Sequence, residues 1–481
     1  MIFDKYGIQT VHNSSILEED ESMSTAVNAG ARLDRLPLSS FHRRIFLLIG
    51  AGMFFDGYDL YVGTTVLGST IQSGFSTMAQ NAQFVSFTFL GMTIGSLVTG
   101  FLGDRYGRRF TYQFNLMIFG LASLAAAFAP DMTTLNLLRF VMGLGLGAEI
   151  VVGYSTLTEF VPPRSRGRWL ATMALLVVSG LPATALLGTL IIPAFGWRPM
   201  FVIAGVGSLV VWYLRKSLPE SPRWLESKGR AAEAEALMQA IEKESATAGE
   251  LPPPAVTAPA PAFGLRSLAS PTLLPRMVVG SVVLIVINTL IFGFVVWLPT
   301  FFVQQGLSIT KSFAYTLVII LGSPIGCVIG ALSADFLGRK PSIIGASVLT
   351  IIFGAIYPYV HEPATLLTVG FLLIVAIYIQ VAILFGVYTP ELFPTEVRLR
   401  ANGICNTIGR AATIVSPFIV IALFKTYGVG GVLSLMIGLL AVQILVVWAW
   451  GIEPAQRRLE AMDTASAVSG GSGGTGRPVR I

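Results

Sequence analysis

Three ionisable side chains lie in the middle of long apolar runs, where lipid would disfavour a charge. Asp56 and Asp59 lie in IFLLIGAGMFFDGYDLYVGTTVLG, and Arg410 lies in ANGICNTIGRAATIVSPFIVIALF. A charge near the centre of a bilayer costs roughly 2.5–3.5 kcal/mol on insertion scales. Such residues persist when they face a protein interior and pair, bind a solute or carry a proton. We therefore interpret these three residues as the working parts of a transporter.

The two aspartates are three positions apart, so they share one face of a helix. Buried carboxylates that lie close together can take up and release a proton, which makes Asp56 and Asp59 candidate proton carriers. The alternative is a structural ion pair with Arg139, and the two roles can coexist because protonation of the aspartate would release Arg139. Glu149, in the same apolar run as Arg139, is a further candidate for coupling or binding, or an internal hydrogen-bond partner.

Arg410 is the candidate for holding a substrate. A guanidinium group grips a carboxylate through two parallel hydrogen bonds. Asn406 lies one turn earlier on the same helix face and could add hydrogen bonds. The pair predicts an organic anion as the solute. The alternative is an internal salt bridge between Arg410 and a carboxylate of another span.

Other polar and aromatic residues near the expected midplane could line a cavity. Asn288 is informative because an amide is rare in lipid, and Gln380 and Tyr388 share a face because they are eight positions apart. The aromatic candidates are Tyr58, Tyr61, Phe292 and Trp297, with Phe294, Tyr378 and Phe385 in the same set. Most aromatic residues of membrane helices only face lipid or pack between helices, so each of these is a candidate and no more.

The composition shows which elements must position these residues. The 481-residue chain is 53% hydrophobic and 12% charged, whereas a soluble domain is about 25% charged. Its apolar residues form runs long enough to cross about 30 Å of hydrocarbon as helices, since no lipid-facing backbone can stay unpaired. The twelve predicted spans lie near 45–69, 81–102, 111–129, 134–158, 169–193, 198–215, 276–302, 310–334, 342–360, 364–390, 401–424 and 430–451.

The distribution of positive charge predicts the topology. With twelve spans and both termini on one side, about 27 of the 32 Lys and Arg residues fall on that side, and only Arg139 and Arg410 are expected within spans. Positive charge stays in the cytoplasm, so both termini are expected there. The net charge of +6 is therefore a topology signal and does not indicate a nucleic-acid partner. The histidines, His12, His42 and His361, are expected outside the spans.

The chain divides around one long polar interruption. Residues 216–275 contain an amphipathic stretch, AAEAEALMQAIEKE, and a Pro/Ala-rich linker. The expected organisation is a cytoplasmic segment at 1–44, a six-helix bundle at 45–215, the cytoplasmic loop at 216–275, a second six-helix bundle at 276–451 and a flexible tail at 452–481. The fold class is all-α, a membrane protein of two pseudo-symmetric bundles.

The two halves repeat a set of charged residues. GFLGDRYGRR (100–109) follows the second span and ALSADFLGRK (331–340) follows the eighth. Glu159 precedes Arg166 by seven positions after the fourth span, and Glu391 precedes Arg398 by seven after the tenth. Matching pairs in matching places indicate an internal duplication, as in transporters whose site lies between two repeats. By contrast, the run Gly143, Gly145, Gly147 follows no strand, so close helix packing explains it better than dinucleotide binding.

These motifs resemble the major facilitator superfamily. The loop motif is carried by Gly100, Asp104, Arg105, Gly107, Arg108 and Arg109, and a degraded second copy retains Asp335 and Arg339 while Ala331 and Phe336 depart from it. LRFVMGLGLGAE resembles the fourth-helix motif with its Arg139. PESPRWL (219–225) and YTPELFPTEVRLRANG (388–403) are similar to sugar porters, organic ion transporters and bacterial nicotinate transporters. DGYD (56–59) resembles the DGxD of aromatic-acid:proton symporters.

The resemblance implies a cytoplasmic latch and an alternating-access mechanism. Asp104 would pair across helices, while Glu159, Arg166, Glu220 and Arg223 would tie loops, with Asp335, Arg339, Glu391 and Arg398 as their counterparts. The matching eleventh-helix position of organic ion transporters helps to select charge, so Arg410 there implies an organic anion.

The sequence thus predicts proton-coupled uptake of a small organic anion, typified by an aromatic carboxylate such as nicotinate or a benzoate-type acid. The alternatives are a sugar or other metabolite porter, a drug or organic-cation exporter, and a membrane sensor with a transporter fold. An enzyme is not expected, because no nucleophile–base or metal-ligand cluster is evident, and neither a metal nor a cofactor is expected. A monomer in a bacterial inner membrane is expected, with the substrate, the proton and the lipid bilayer as its partners.

Overall fold

The computed structural model describes residues 27–245, 270–393 and 395–453, and these are almost entirely helical. The N-terminal half contains α1 Ala29–Asp34, α2 Ser40–Gln72, α3 Met78–Tyr106, α4 Arg108–Ala127, α5 Met132–Phe160, α6 Pro163–Phe195, α7 Arg198–Leu214, α8 Pro222–Ser227 and α9 Ala231–Ser245. The C-terminal half contains α10 Leu274–Gly293, α11 Leu298–Gln304, α12 Ile309–Ile320, α13 Gly322–Phe336, α14 Arg339–Ile356, α15 Pro363–Ile383, α16 Thr389–Glu391 and α17 Thr395–Trp450.

Eleven segments of the described chain are long and apolar enough to cross a membrane, and the last of them, Ala401–Trp450, has 50 residues, which is enough for two crossings. Inside α17 the backbone of Gly428 has φ +64° and ψ −157°, which breaks the helix. Val420 and Met436, on opposite sides of that break, both lie against Gly293. The chain therefore turns back at Gly428, and the predicted twelve-helix fold is confirmed.

Several predicted spans differ in detail from the helices. The first begins at Ser40 rather than 45, so His42 lies inside α2 and is buried, contrary to the prediction that it stands outside the spans. The seventh is interrupted after Gly293 by a 3₁₀ turn at Val295–Trp297 before α11 begins. The π-helical turn Leu384–Tyr388 follows α15.

Glycines bring paired helices into backbone contact in both halves. A Cβ on Gly143 would lie 2.4 Å from the Thr88 carbonyl oxygen, and one on Gly147 would lie 2.1 Å from that of Met92. In the C-terminal half, a Cβ on Gly326 would lie 2.4 Å from the Val375 carbonyl oxygen. Only glycine permits this approach of α3 to α5 and of α13 to α15. The predicted packing role of the glycine run is therefore confirmed.

The two bundles meet mainly on one side of the protein, which we call the far side because it lies opposite Val27 and Glu453. The side that carries these two residues is the terminal side. On the far half of α2, Gly63 lies against Val296 and Gly68 lies against Thr300 of the other bundle.

Three small helices, α1, α8 and α9, cover the terminal side of the N-terminal bundle. The stretch predicted to be amphipathic forms α9, which buries Met238 and Ile241. Arg32 of α1 forms salt bridges with Glu242 (2.8 Å) and with Glu235 of α9. The Pro/Ala linker, His12 and the tail beyond residue 453 lie outside the described residues.

Candidate functional site

Asp59 and Arg139 form a fully buried ion pair between α2 and α5. Arg139 Nη1 donates to Asp59 Oδ2 (2.5 Å), and Arg139 Nε donates to Thr88 Oγ1 (3.1 Å). The guanidinium also stacks over the ring of Phe84, with 4.6 Å from its central carbon to the ring centroid. Arg139 is thus held on several sides, and the ion pair considered from the sequence is present.

A second buried ion pair joins Glu149 of α5 to Arg215, in the 3₁₀ turn Arg215–Ser217 after α7. Arg215 Nε donates to the Leu48 carbonyl (2.8 Å) and its Nη2 donates to the Ile49 carbonyl (2.8 Å), both on α2. Space for the guanidinium exists because Gly52 has no side chain: a Cβ there would lie 1.9 Å from Arg215 Nη2.

Sequence reasoning missed Arg215. The sequence prediction places it among the positive charges outside the membrane, although it is the last residue of the predicted span 198–215. The structure buries it with 1% of its surface exposed, so the prediction that only Arg139 and Arg410 lie within spans is wrong. The absence of a side chain at Gly52 permits the approach but does not identify which residue makes it.

Asp56 is the unpaired carboxylate of this group. It is 1% exposed, and neither side-chain oxygen has a hydrogen-bond partner among the described residues. It lies one turn beyond Gly52, and its charged neighbours are Glu149, Arg215 and Asp59. An ionised carboxylate is costly to bury without a partner. Three buried carboxylates therefore share two guanidinium groups.

Arg410 is the corresponding unpaired cation of the C-terminal bundle. It is half-buried, and its side chain makes no hydrogen bond or salt bridge within the described residues. Ile414, one turn beyond it, accepts a hydrogen bond from Ser86 Oγ of the other bundle (2.6 Å), so this part of α17 borders the bundle interface. No Asp, Glu, Lys or Arg is fully buried in the part of the C-terminal bundle that the structure describes.

Two asparagines accompany Arg410. Asn406, half-buried and one turn earlier, uses its Nδ2 to donate to the Asn402 carbonyl (2.9 Å). Asn288 of α10 lies against Gly409, next to Arg410, and donates its Nδ2 to the Leu284 carbonyl (2.7 Å). The three predicted polar residues therefore lie in one region of the C-terminal bundle.

Aromatic rings from both bundles meet one turn from this region. Phe292 follows Asn288 by four positions and stacks on Tyr61 of α2, with centroids 6.3 Å apart and planes 12° apart. Phe89 of α3 meets the same Phe292 ring at 4.3 Å. The Tyr61 hydroxyl faces that of Tyr378 on α15. Tyr378, one of the aromatic candidates selected from the sequence, thus lies at the bundle interface.

The polar groups of four predicted cavity residues contact their own bundle; these residues are Tyr58, Trp297, Gln380 and Tyr388. Tyr58 donates to the Met200 carbonyl (3.3 Å), and Trp297 donates its Nε1 to the Phe292 carbonyl (3.1 Å).

Gln380 and Tyr388 both face the last crossing of the membrane. Gln380 accepts from Gln443 Nε2 (2.7 Å), and the hydroxyl of Tyr388 lies beside Gly451. The spacing argument was therefore right about their shared face, but that face packs within the C-terminal bundle.

The latch residues of the N-terminal half form ion pairs with partners that the sequence did not specify. Glu159 pairs with Arg108 (3.1 Å), whereas Arg166 pairs with Asp34 (3.3 Å). Arg223 also pairs with Asp34 (2.7 Å) and donates to the Glu159 carbonyl. The seven-residue spacing of Glu159 and Arg166 therefore does not mark a direct pair.

Glu220 caps the start of α4. Its side chain accepts from the backbone N–H groups of Arg108 (2.9 Å) and Arg109 (3.2 Å), where four N–H groups lack helical partners. Burial raises the pKa of Glu220, and these hydrogen bonds partly oppose the shift. A Cβ on Gly107, at φ +96°, would meet Glu220, so glycine is required there for two reasons.

The C-terminal half repeats this arrangement. Arg339 pairs with Glu391 (3.1 Å), and Glu453 accepts from the backbone N–H groups of Arg339 (2.9 Å) and Lys340 (2.8 Å). Gly338 has φ +94°, matching Gly107. Glu453 thus corresponds to Glu220, and sequence reasoning missed it because it follows the last span without a recognisable motif.

The remaining residues of the predicted latch show fewer contacts in the described part of the structure. Arg105 is exposed, with its guanidinium carbon 5.4 Å from the centroid of the Tyr106 ring. The side chains of Asp104, Asp335 and Arg398, and the surroundings of Gly100, lie outside the described part of the structure. Within the described ranges, no three His, Cys, Asp or Glu side chains are grouped as a metal site would require.

Comparisons with known proteins agree with this architecture. Residues 46–465 match the family model described as "Sugar (and other) transporter". The inner membrane metabolite transport protein YdjE of Escherichia coli (strain K12) is 37% identical over 441 residues, which cover 90% of this chain and 97% of that protein. The niacin transporter NiaP of Acinetobacter baylyi is 30% identical over 397 residues, covering 81% and 89%.

The fold also matches a solved transporter. A partially occluded inward open structure of the xylose transporter XylE from E. coli aligns with a TM-score of 0.66 at 20% identity, covering 86% of this chain and 99% of that one.

Proposed function

We propose a function from the premise that this chain belongs to the sugar (and other) transporter family of the major facilitator superfamily. It is accordingly a multi-pass integral membrane protein that carries a small molecule. The proposal concerns the cargo and its driving force: proton-coupled uptake of a small organic anion, best represented by an aromatic monocarboxylate such as nicotinate or benzoate. The observation that carries it is the Arg410 guanidinium, half-buried beside the bundle interface with no counter-charge among the described residues.

The anion site is proposed around Arg410. Its guanidinium would hold the carboxylate through two hydrogen bonds, and Asn406 would add a polar contact from the same face. Asn288 would flank the carboxylate from α10. The rings of Tyr61 and Phe292, one turn away, would contact an aromatic ring, and aromatic stacking contributes about 0.5–1.5 kcal/mol beyond burial. The name of the niacin transporter relative supports this cargo class.

The proton is proposed to bind Asp56. Asp59 and Glu149 each have an arginine partner, whereas both oxygens of Asp56 have none within the described residues. One proton on Asp56 would leave the buried groups of the N-terminal bundle neutral. One monoanion on Arg410 would do the same for the other bundle, so a one-to-one load would be electroneutral. The bundles would then rock about the occupied site.

The test is uptake of labelled nicotinate and benzoate into proteoliposomes, with the membrane potential held at zero. We expect accumulation only under an inward proton gradient, and loss of uptake in R410Q with partial retention in R410K. Equilibration without accumulation would reduce the protein to a facilitator and remove the role of Asp56. Full uptake by R410Q would refute the anion site.

A sugar cargo is the second candidate. It is favoured by the family description and by the xylose transporter that shares the fold. The amides of Gln380 and Gln443 could bond sugar hydroxyls, but here they bond each other and Ser347. Uptake of labelled xylose, insensitive to benzoate, would select this alternative. Inhibition by lipophilic cations alone would instead indicate an organic-cation exporter, with Asp56 as the cation's partner.

The cellular setting is also proposed. The E. coli relative named as an inner membrane protein supports a bacterial inner membrane, and the excess of positive charge supports a cytoplasmic terminal side. The bundles at 45–215 and 276–451 would move as the two halves. Residues 1–44, 216–275 and 452–481 would be cytoplasmic, and one chain would suffice for transport.

A further inference from the structure

We infer that Arg215 is a positioning residue that couples the protonation state of Asp56 to the turn Arg215–Ser217, and through this turn to the cap that Glu220 forms on α4. The inference rests on the proposed role of Asp56 as proton carrier. It concerns how the N-terminal bundle detects whether the proton is present, and it does not depend on which solute is carried.

Arg215 links three helices from a buried position. Its side chain bonds Glu149 of α5 and the carbonyls of Leu48 and Ile49 on α2, while its backbone begins the turn that ends α7. The ring of Tyr112 on α4 lies beneath the guanidinium, with 4.9 Å from its central carbon to the centroid. Any displacement of this side chain must therefore disturb its contacts with α2, α4 and α5 and shift the turn that carries it.

A second carboxylate lies within range of the same guanidinium. Arg215 Nη2 occupies the space beside Gly52, and Asp56 follows one turn later on α2 with both oxygens unpartnered. The other charged or titratable groups around this cluster are Asp59, which is bonded to Arg139, and the hydroxyls of Tyr58 and Tyr112. The Tyr112 hydroxyl is committed to the Val152 carbonyl (2.8 Å). Arg215 is thus the cation best placed to pair with an ionised Asp56.

The backbone of Arg215 leads directly to the latch. The next residue, Lys216, accepts a hydrogen bond on its carbonyl from Arg109 Nη2 (2.9 Å). Four residues later, Glu220 caps the N–H groups of Arg108 and Arg109 and accepts from Ser221 N (2.9 Å). The buried ion pair and the cap of α4 are therefore formed by residues only five positions apart in the chain.

The two charge states of Asp56 place different demands on Arg215. With a proton on Asp56, Glu149 is the one carboxylate that the guanidinium must neutralise, and Glu149 is the carboxylate that it bonds in this structure. When the proton leaves for water, two carboxylates compete for one guanidinium, which is drawn along α2 past Gly52. The turn at Arg215–Ser217 follows, and the cap that Glu220 forms on α4 loosens.

The test measures how accessible the turn Arg215–Ser217 is to a thiol reagent at different pH values, with no substrate present. In a C327S/C405S background, the S217C variant is labelled with a maleimide and the labelling rate is measured. This rate is divided by the labelling rate of a Q305C variant, whose thiol lies on the far side, to remove the pH dependence of thiol reactivity. We expect the ratio to change about fivefold, the lower range of allosteric coupling, between mildly acidic and mildly basic pH. It should be flat in D56N and R215Q and partly restored in R215K.

Glu220 provides the competing explanation, because its own raised pKa could make the cap sensitive to pH. A pH-dependent ratio that persists in D56N and R215Q but disappears in E220Q would overturn the inference. A flat ratio in the parent protein would overturn it as well. If R215Q does not fold, D56N and R215K carry the test. Because no substrate is added, failure here is distinct from failure of anion transport.

Discussion

The two bundles share a scaffold and differ in the charges they bury. In the N-terminal bundle Asp56, Asp59 and Glu149 face only two guanidinium groups, which leaves one acid without a partner. In the described part of the C-terminal bundle no acid is fully buried, and Arg410 stands half-buried without a counter-ion. The difference suggests a division of roles, with the proton in one half and the anion in the other.

The latch, by contrast, is nearly the same in both halves. Arg108, Glu159 and Glu220 correspond to Arg339, Glu391 and Glu453, with Gly107 and Gly338 at equivalent left-handed positions. A duplicated scaffold thus keeps the groups that bind loops to helices, while the membrane interior of each half has its own chemistry. Breaking one half and then the other should separate these functions.

The largest effect is expected from breaking a paired acid. Asp59→Asn leaves Arg139 buried without its counter-charge, which costs about 3–5 kcal/mol. We expect a lower midpoint of thermal unfolding in detergent. Asp56→Asn is the matched control three residues away, and it should keep or raise the midpoint because Asp56 has no partner to lose. Equal losses in both variants would contradict the distinction.

The next effect isolates the C-terminal bundle. Arg410→Gln removes the proposed anion ligand, and losing a charged partner of this kind costs about 2–5 kcal/mol, which is roughly 30-fold to a few thousand-fold in affinity. Binding of benzoate should weaken accordingly in titration calorimetry, without loss of thermal stability, because Arg410 has no partner among the described residues. Unchanged affinity would show that the carboxylate binds elsewhere.

The third effect isolates the N-terminal bundle. One proton per monoanion supports about tenfold accumulation for each pH unit of gradient. Asp56→Asn should abolish this accumulation while retaining exchange of labelled for unlabelled anion, because exchange needs no proton release. Accumulation that survives in D56N would move the proton to Asp59 or Glu149.

The sequence defined most of the scaffold but fewer of the contacts. Hydropathy located every crossing, and Asp59 with Arg139 was recognised as a possible pair. Arg215 was missed because an arginine at the end of an apolar run resembles an anchor at the membrane surface. The sequence also did not identify the partner of Glu159, because spacing along the chain cannot show that Arg108, at the start of α4, lies beside it.

Side-chain direction was the other limit. Gln380 and Tyr388 share a face as predicted, but their spacing could not show that this face meets the last helix rather than the interface. Tyr378, two positions before Gln380, faces Tyr61 instead. The rotation of a helix within a bundle depends on its neighbours, and in an apolar segment polarity marks that rotation only weakly.

A smaller effect compares the two caps. Glu220→Gln and Glu453→Gln each weaken an acceptor at a helix N-terminus, a change worth about 0.5–2 kcal/mol. We expect similar, modest losses of thermal stability in the two variants. A large loss in one alone would show that the latch is not equivalent in the two halves.

The smallest effect concerns the α1–α9 contact, which has no counterpart in the described C-terminal half. Hydrogen bonds from Arg32 and Arg35 lower the pKa of Glu242 below its ordinary value of 4.5. Its contribution to stability is therefore present above that value and is lost as the pH falls through the lowered pKa. The protection factors for hydrogen exchange in residues 27–36, which are corrected for the pH dependence of intrinsic exchange, should fall on such acidification. E242Q should show the lowered protection at neutral pH.

The division of roles is tested most directly by counting protons when an anion binds. Benzoate or nicotinate is added to the purified, weakly buffered protein, and proton uptake is measured together with the amount bound. The account predicts close to one proton per anion in the wild type at a pH where Asp56 is ionised, and anion binding without proton uptake in D56N. Binding without proton uptake in the wild type, or equal uptake in D56N, would contradict it.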